Sequence, residues 1–121
     1  LSNQNSQKDF FLDNEGGNSS FVDFGSDKSV EIETVTLDSL EIANQIKLFK
    51  VEAEGYEPEV LKGSKNTLDL IEYVSVDFGP ERGRELKNTI VEVNNILIES
   101  NFELIEFSNL RMIGLYKNKK L

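Results

Sequence analysis

Cysteine and histidine are both absent from these 121 residues. Without them the chain holds no thiol nucleophile, no disulfide, no zinc site of the usual Cys/His kind and no Ser-His-Asp triad. Long apolar runs are missing too, and nothing approaches the roughly 20 residues that a membrane-crossing helix needs, so no membrane partner is expected. The N-terminus, Leu1-Ser2-Asn3-Gln4-Asn5, is polar and carries no basic stretch. No signal peptide is read there, and a cytoplasmic location is the expectation. Basic residues are scarce: 13 Lys and Arg stand against 22 Asp and Glu, a formal net charge of −9. So acidic a chain is repelled by phosphate backbones, which argues against nucleic acid as a partner. The Gly-x-Gly-x-x-Gly pattern is also not found. Gly16-Gly17 sits in a turn-rich loop, and the Asn18-Ser19-Ser20 that follows opens no helical period, so a phosphate-binding loop there is set aside.

What is present reads as one globular unit, with 38% hydrophobic and 29% charged residues and no internal repeat. Asp9 to Asp13 reads as a short strand. In a second strand, running to Thr36, Val30 and Ile32 alternate with Glu31 and Glu33. Asp38 is placed to cap a short helical turn, with Glu41 completing a box-like cap. Ile46 to Val51 is a strand that runs into Glu52-Ala53-Glu54-Gly55, and Pro58 suits the first turn of the helix that follows. Gly63 ends or kinks that helix, which resumes to about Ile71. Tyr73 to Phe78 is a strand stopped by Gly79-Pro80. Leu86, Ile90, Val93 and Leu97 lie on one stripe of a helix running from about Arg84 to Ser100. Phe102 to Phe107 and Arg111 to Tyr116 then form an antiparallel pair. Strand, helix, strand, helix and a terminal hairpin predict an α/β fold with a mixed sheet.

In open α/β sheets, ligands sit beyond the carboxyl ends of the strands. Two such ends are charged here: Lys50, Glu52 and Glu54 at the first, Asp77 with Glu81 and Arg82 at the second. A charge within a covered parallel strand is costly, whereas one at its tip reaches solvent. Simple solvation, with Lys50 pairing along the edge to Glu52, therefore stands beside a functional reading. Carboxylates such as Glu52, Glu54 and Asp77 could hold a hard cation. No tell-tale ligand spacing marks such a site, and no metal is expected.

The segment from Leu48 to Gly63 resembles the signature of the FkbM family of S-adenosylmethionine-dependent methyltransferases, approximately L-x-K-[IV]-D-x-E-G-x-E-x-x-V-L-x-G. Lys50, Val51, Glu54, Gly55, Glu57, Val60, Leu61 and Gly63 all fit. Val35 to Leu40 resembles the family's T-L-D segment, and Leu1-Ser2-Asn3, Phe10-Phe11 and Asn18-Ser19-Ser20 resemble the stretch before it. Glu52 stands where the family usually has Asp. The family's glycine-rich strand–turn–helix and the acidic end of its second strand have no counterpart here.

The resemblance implies that residues 1–121 are a single partial domain, the C-terminal part of a Rossmann-like methyltransferase fold. The strands would be the last four of a sheet ordered 3-2-1-4-5-7-6. A chain that begins at Leu1 rather than Met fits a fragment. S-adenosylmethionine would be the cofactor of the full-length parent, with no cofactor-binding residue in this chain, none bound to it, and no activity expected of the chain alone. A small-molecule methyl acceptor, a sugar or other hydroxyl compound, would be the parent's partner. Glu52 and Glu54 become the candidate catalytic residues, Asp77 and Arg82 the candidate substrate-binding ones. The alternative is a non-enzymatic α/β binding or interaction module, a degenerate relative of the family. By the same resemblance the Ile46–Val51 strand would present a bare edge. Self-association through it to a homo-oligomer is expected, or shielding by the Phe10-Phe11 segment.

Overall fold

The strand-forming segments divide into two sheets of different character. The computed structural model describes residues 1–15 and 17–121, so Gly16, one half of the loop's glycine pair, lies outside the described residues. Near the N-terminus, β1 (Ser6–Phe11) and β2 (Ser29–Thr34) form an antiparallel ribbon that sets Phe10 opposite Val30 and Lys8 opposite Ile32. β1 begins and ends earlier than the sequence suggests. It stops where the Asp13 carboxylate turns back to accept from the Gly17 and Asn18 N–H groups. Val30 and Ile32 stay exposed, so their alternation marks a strand without marking a buried face.

The second sheet holds the core. Its elements are β3 (Ile46–Val51), α1 (Glu57–Lys62), β4 (Ile71–Asp77), α2 (Ile90–Glu99), β5 (Phe102–Ser108) and β6 (Ile113–Asn118). The strand order is β3-β4-β6-β5, with β3 and β4 parallel and β6 antiparallel to both of its neighbours. Val74 and Val76 of β4, Tyr116 of β6 and Phe102 of β5 are fully buried together with Leu61 of α1 and Val93 and Leu97 of α2. Burial pushes the Tyr116 phenol up to about 12, and its hydroxyl donates to Asn94 Oδ1.

Three sequence expectations are corrected. The helix expected from Arg84 starts at Ile90, because residues 82–87 form a tight loop instead. Arg82 and Lys87 exchange backbone hydrogen bonds, and Leu86 has a φ of +50° and is 62% exposed. Leu86 therefore matched the helical stripe by spacing alone. Asp38 does cap a helical turn, but not its own. Its carboxylate accepts from the Asn66 and Thr67 N–H groups and the Thr67 hydroxyl, satisfying the free donors of the 3-10 turn Thr67–Leu70. Glu41 builds no box; it closes the turn Asp38–Leu40 in a left-handed conformation.

Gly63 does end α1, and it is needed there for space rather than for conformation. A Cβ at this position would lie 1.9 Å from the Ser2 carbonyl oxygen. Ser2 is wholly buried, its N–H donating to Val35 O and its hydroxyl meeting the Tyr56 hydroxyl at 3.0 Å. Phe10, Phe21 and Tyr56 then stack in sequence, with centroids 4.8 and 5.1 Å apart, and carry the N-terminal segment to the carboxyl end of β3. Along the rest of β3 no strand lies on the outer edge among the described residues, and Leu48 is 55% exposed.

Gly63→Ala should cost about 1–3 kcal/mol by overpacking and lift the N-terminal segment away. Thermal unfolding would report the first effect and faster hydrogen exchange at the Ser2 amide the second. Wild-type protection of that amide in the variant would refute the close-packing account.

Candidate functional site

The site is built on a turn that the chain could not hold without help. β3 ends at Val51, and within four residues the backbone passes through Glu54 at φ +48° and Gly55 at φ +87°. A left-handed conformation costs a non-glycine residue roughly 1–2 kcal/mol, so something must compensate at Glu54. Glu57 does so. Only 1% exposed, it accepts from the Ala53 and Gly55 N–H groups through Oε1 (2.9 and 3.0 Å) and from the Thr89 hydroxyl through Oε2. The turn is thereby wound around an anion. Gly55 is obligatory on two counts, since a Cβ there would also sit 2.5 Å from Arg82 Cα.

The four site residues expected from sequence fall in three different settings. Glu52 and Glu54 both line a cavity of about 310 Å³, walled by Phe10, Phe21, Phe49, Tyr56 and Val60. Glu52 is half exposed and paired with Lys50, the solvated edge pairing that the sequence left open. Such a pair contributes little to stability. Glu54 is different: its Oε2 is buried with no hydrogen-bond partner. Burial pushes the Glu54 carboxyl up, a hydrogen bond with Glu81 partly offsets this, and the charges of Glu52, Glu57 and Asp77 add to the rise.

Asp77, at the carboxyl end of β4, accepts from the Gly79 N–H at 2.9 Å and adds negative charge to this group. Arg82 points elsewhere. Its guanidinium forms a bidentate pair with Glu59 (2.7 and 2.8 Å) and donates to the Gly55 carbonyl, and the Glu59 bond holds its pKa above the ordinary value.

Two further residues of the site were visible in the sequence without a role, Glu57 as a signature match and Glu81 as a charge beside a strand end. Glu57 was legible in part, since an acid beside a helix-opening proline lies at the positive end of the helix dipole. Glu81 had no local signal beyond its charge in the loop after Asp77. It follows Gly79-Pro80, and Gly79 leaves room for it: a Cβ there would come within 3.0 Å of the Glu81 carboxyl. Burial and then the Glu54 charge push the Glu81 carboxyl up to about 7, with the Glu54 hydrogen bond and the charges of Asp77 and Glu57 acting in the same direction. Among the described residues no group of three or more acids is arranged to hold a metal ion, and no helix is long and apolar enough to cross a membrane.

Glu57→Ala would strand two buried N–H donors and should cost about 3 kcal/mol. Glu57→Gln, which keeps an acceptor on the turn, should recover most of that loss. Urea denaturation of the two variants measures the difference, and equal losses would show that the carboxylate does not hold the turn.

Comparison with curated proteins and with solved structures gave no match. A comparison with protein families did: the methyltransferase FkbM domain matches residues 1–112, which takes in the N-terminal ribbon, the β3 turn with Glu52, Glu54 and Glu57, the β4 loop and β5, and stops just short of β6. With nearly all of its length covered, the chain belongs to the FkbM methyltransferase domain family.

Proposed function

We propose that this chain is the later half of a Rossmann-like O-methyltransferase domain and forms the side of the site that receives a hydroxyl of a sugar or other small molecule. The observation that carries this reading is Glu54. It stands at the carboxyl end of a parallel strand, lines the cavity, has raised basicity and keeps one carboxylate oxygen free of any donor. That is the place where open α/β sheets take their ligands. The strand order β3-β4-β6-β5 supports the fold, because it corresponds to the last four strands of 3-2-1-4-5-7-6.

Methyl transfer to oxygen is an in-line displacement, so a protein contributes alignment and removal of the hydroxyl proton. The family implies S-adenosylmethionine as the donor, which supplies an electrophilic methyl group on a positively charged sulfur. The residues present suit such a cation on one side. Glu52, Glu54, Asp77 and Glu81 give the strand ends a negative field, and the chain as a whole carries −9. In this reading Glu54 accepts the proton from the acceptor hydroxyl as the new carbon–oxygen bond forms. The aromatic wall of Phe10, Phe21 and Phe49 excludes water from that step. Asp77 sharpens the field, while Arg82, spent on Glu59 and Gly55, braces the turn.

The test is Glu54→Gln in a protein that carries this domain together with its donor-binding part, assayed with hydroxyl acceptors. Turnover should fall by about 10² or more, the usual contribution of a general base, with little change in the unfolding midpoint. Glu52→Gln should have a much smaller effect, because Glu52 is exposed and paired with Lys50. Undiminished turnover in Glu54→Gln would remove Glu54 from the chemistry.

A further inference from the structure

The sheet ends at β5, and the outer side of that strand is open. No strand pairs there among the described residues, and every β5 residue after Phe102 is exposed. Such an edge presents a row of unpaired N–H and C=O groups that a further strand can complete.

Beside the edge, between β5 and α2, lies a groove of about 350 Å³ lined by Phe78, Val91, Asn94, Leu104, Phe107 and Tyr116. Its floor is fixed. Phe78 and Tyr116 are fully buried and meet edge-on with centroids 6.3 Å apart, and Asn94 holds the Tyr116 hydroxyl. Its rim is apolar and open, with Val91 70% exposed, Leu104 44% and Phe107 41%.

The two faces of β5 differ in kind. Leu104 and Phe107 pair with Tyr116 and Gly114 and share the face that α2 covers. Glu103 and Glu106 pair with Lys117 and Leu115 on the other face. The irregularity between Leu104 and Glu106 preserves this division, because an extra residue returns Phe107 to the groove three positions after Leu104. Neither glutamate forms an ion pair among the described residues. A strand added to this edge therefore meets apolar side chains on one face and acids on the other. A second copy of the chain is the poorer occupant, since it carries the same −9 and brings its own Glu103 and Glu106.

We propose that the β5 edge and the α2 groove dock an extended segment of a partner protein in which apolar and basic residues alternate. Its backbone completes the sheet and its apolar side chains enter beside Val91, Leu104 and Phe107. Its lysines or arginines lie across from Glu103 and Glu106. Main-chain hydrogen bonds supply affinity in this mode, and the alternation supplies the choice of partner. The surface lies at the edge of the sheet opposite to β3 and its cavity, so it stands with or without methyl transfer.

The probe is a fluorescent peptide of alternating valine and lysine, about eight residues long to match a strand. It is titrated into this chain and followed by anisotropy and by backbone NMR shifts. Binding should saturate, with shifts confined to β5, α2 and the groove. Glu106→Lys should weaken it about tenfold by turning a cross-strand attraction into a repulsion. Glu31→Lys, the same change of charge on exposed β2, should leave it within about twofold. Val91→Ser, at a position exposed enough to spare the fold, should weaken it several-fold. A peptide N-methylated at alternate residues cannot complete the edge and should not bind. Equal losses in Glu106→Lys and Glu31→Lys would expose a response to net charge alone and overturn the proposal. So would shifts centred on β3, or equally tight binding of a peptide with glutamate in place of lysine. Self-association of the free chain that Val91→Ser abolishes would make a second copy the occupant and overturn it as well.

Discussion

A buried carboxylate with backbone N–H groups wrapped around it is the constraint on which the rest of this molecule depends. Glu57 takes two donors from the turn after β3 and one from the residue that opens α2, so a single side chain ties the end of a strand, the start of α1 and the start of α2 to one point. A charged acceptor forms stronger bonds than a neutral one, which suits a position that must hold two successive left-handed residues. Without it, Glu54 would relax out of its conformation and the cavity would lose its acidic wall. The strain at Glu54 and the anchor at Glu57 are thus two halves of one device. Family membership fits this picture, since Glu54, Gly55 and Glu57 all fall within the matched residues.

Much of the framework was legible from local pattern. Ile46 to Val51 was bounded correctly because a hydrophobic run of strand length meets a turn rich in acid and glycine. Pro58 marked the first turn of α1 because its missing N–H is tolerated there. The antiparallel pairing of the last two strands followed from the shortness of their link. These signals are all carried by neighbours in the chain.

What was not legible depends on partners distant in sequence. Asp38 has the chemistry of a cap, but the donors it satisfies lie 28 and 29 residues further on. Arg82 looked free to bind a ligand until its partner, 23 residues earlier, was seen. Leu86 fitted a helical period that the loop overrode by pairing Arg82 with Lys87. Glu81 could be read as a charge at a strand end, but not as one held against Gly79, because that packing depends on the fold of the loop. The acidic strand ends could be read; which of the acids are spent and which are free could not.

The place of β6 has a consequence for how such a sheet comes into being. β6 is the last strand in the chain, yet it fills the slot between β4 and β5, and the buried Asn118 side chain at its end donates to the Leu68 and Ile71 carbonyls at the start of β4. During synthesis β5 therefore emerges with no strand to join. The centre of the sheet is left as an open gap, and β4 can find its second neighbour only after residue 118 has cleared the ribosome. Until then the nascent chain must keep the facing edges of β4 and β5 apart, which makes Ile113–Asn118 the keystone of the sheet, with Ile113 paired to Asp77 at the acidic strand end.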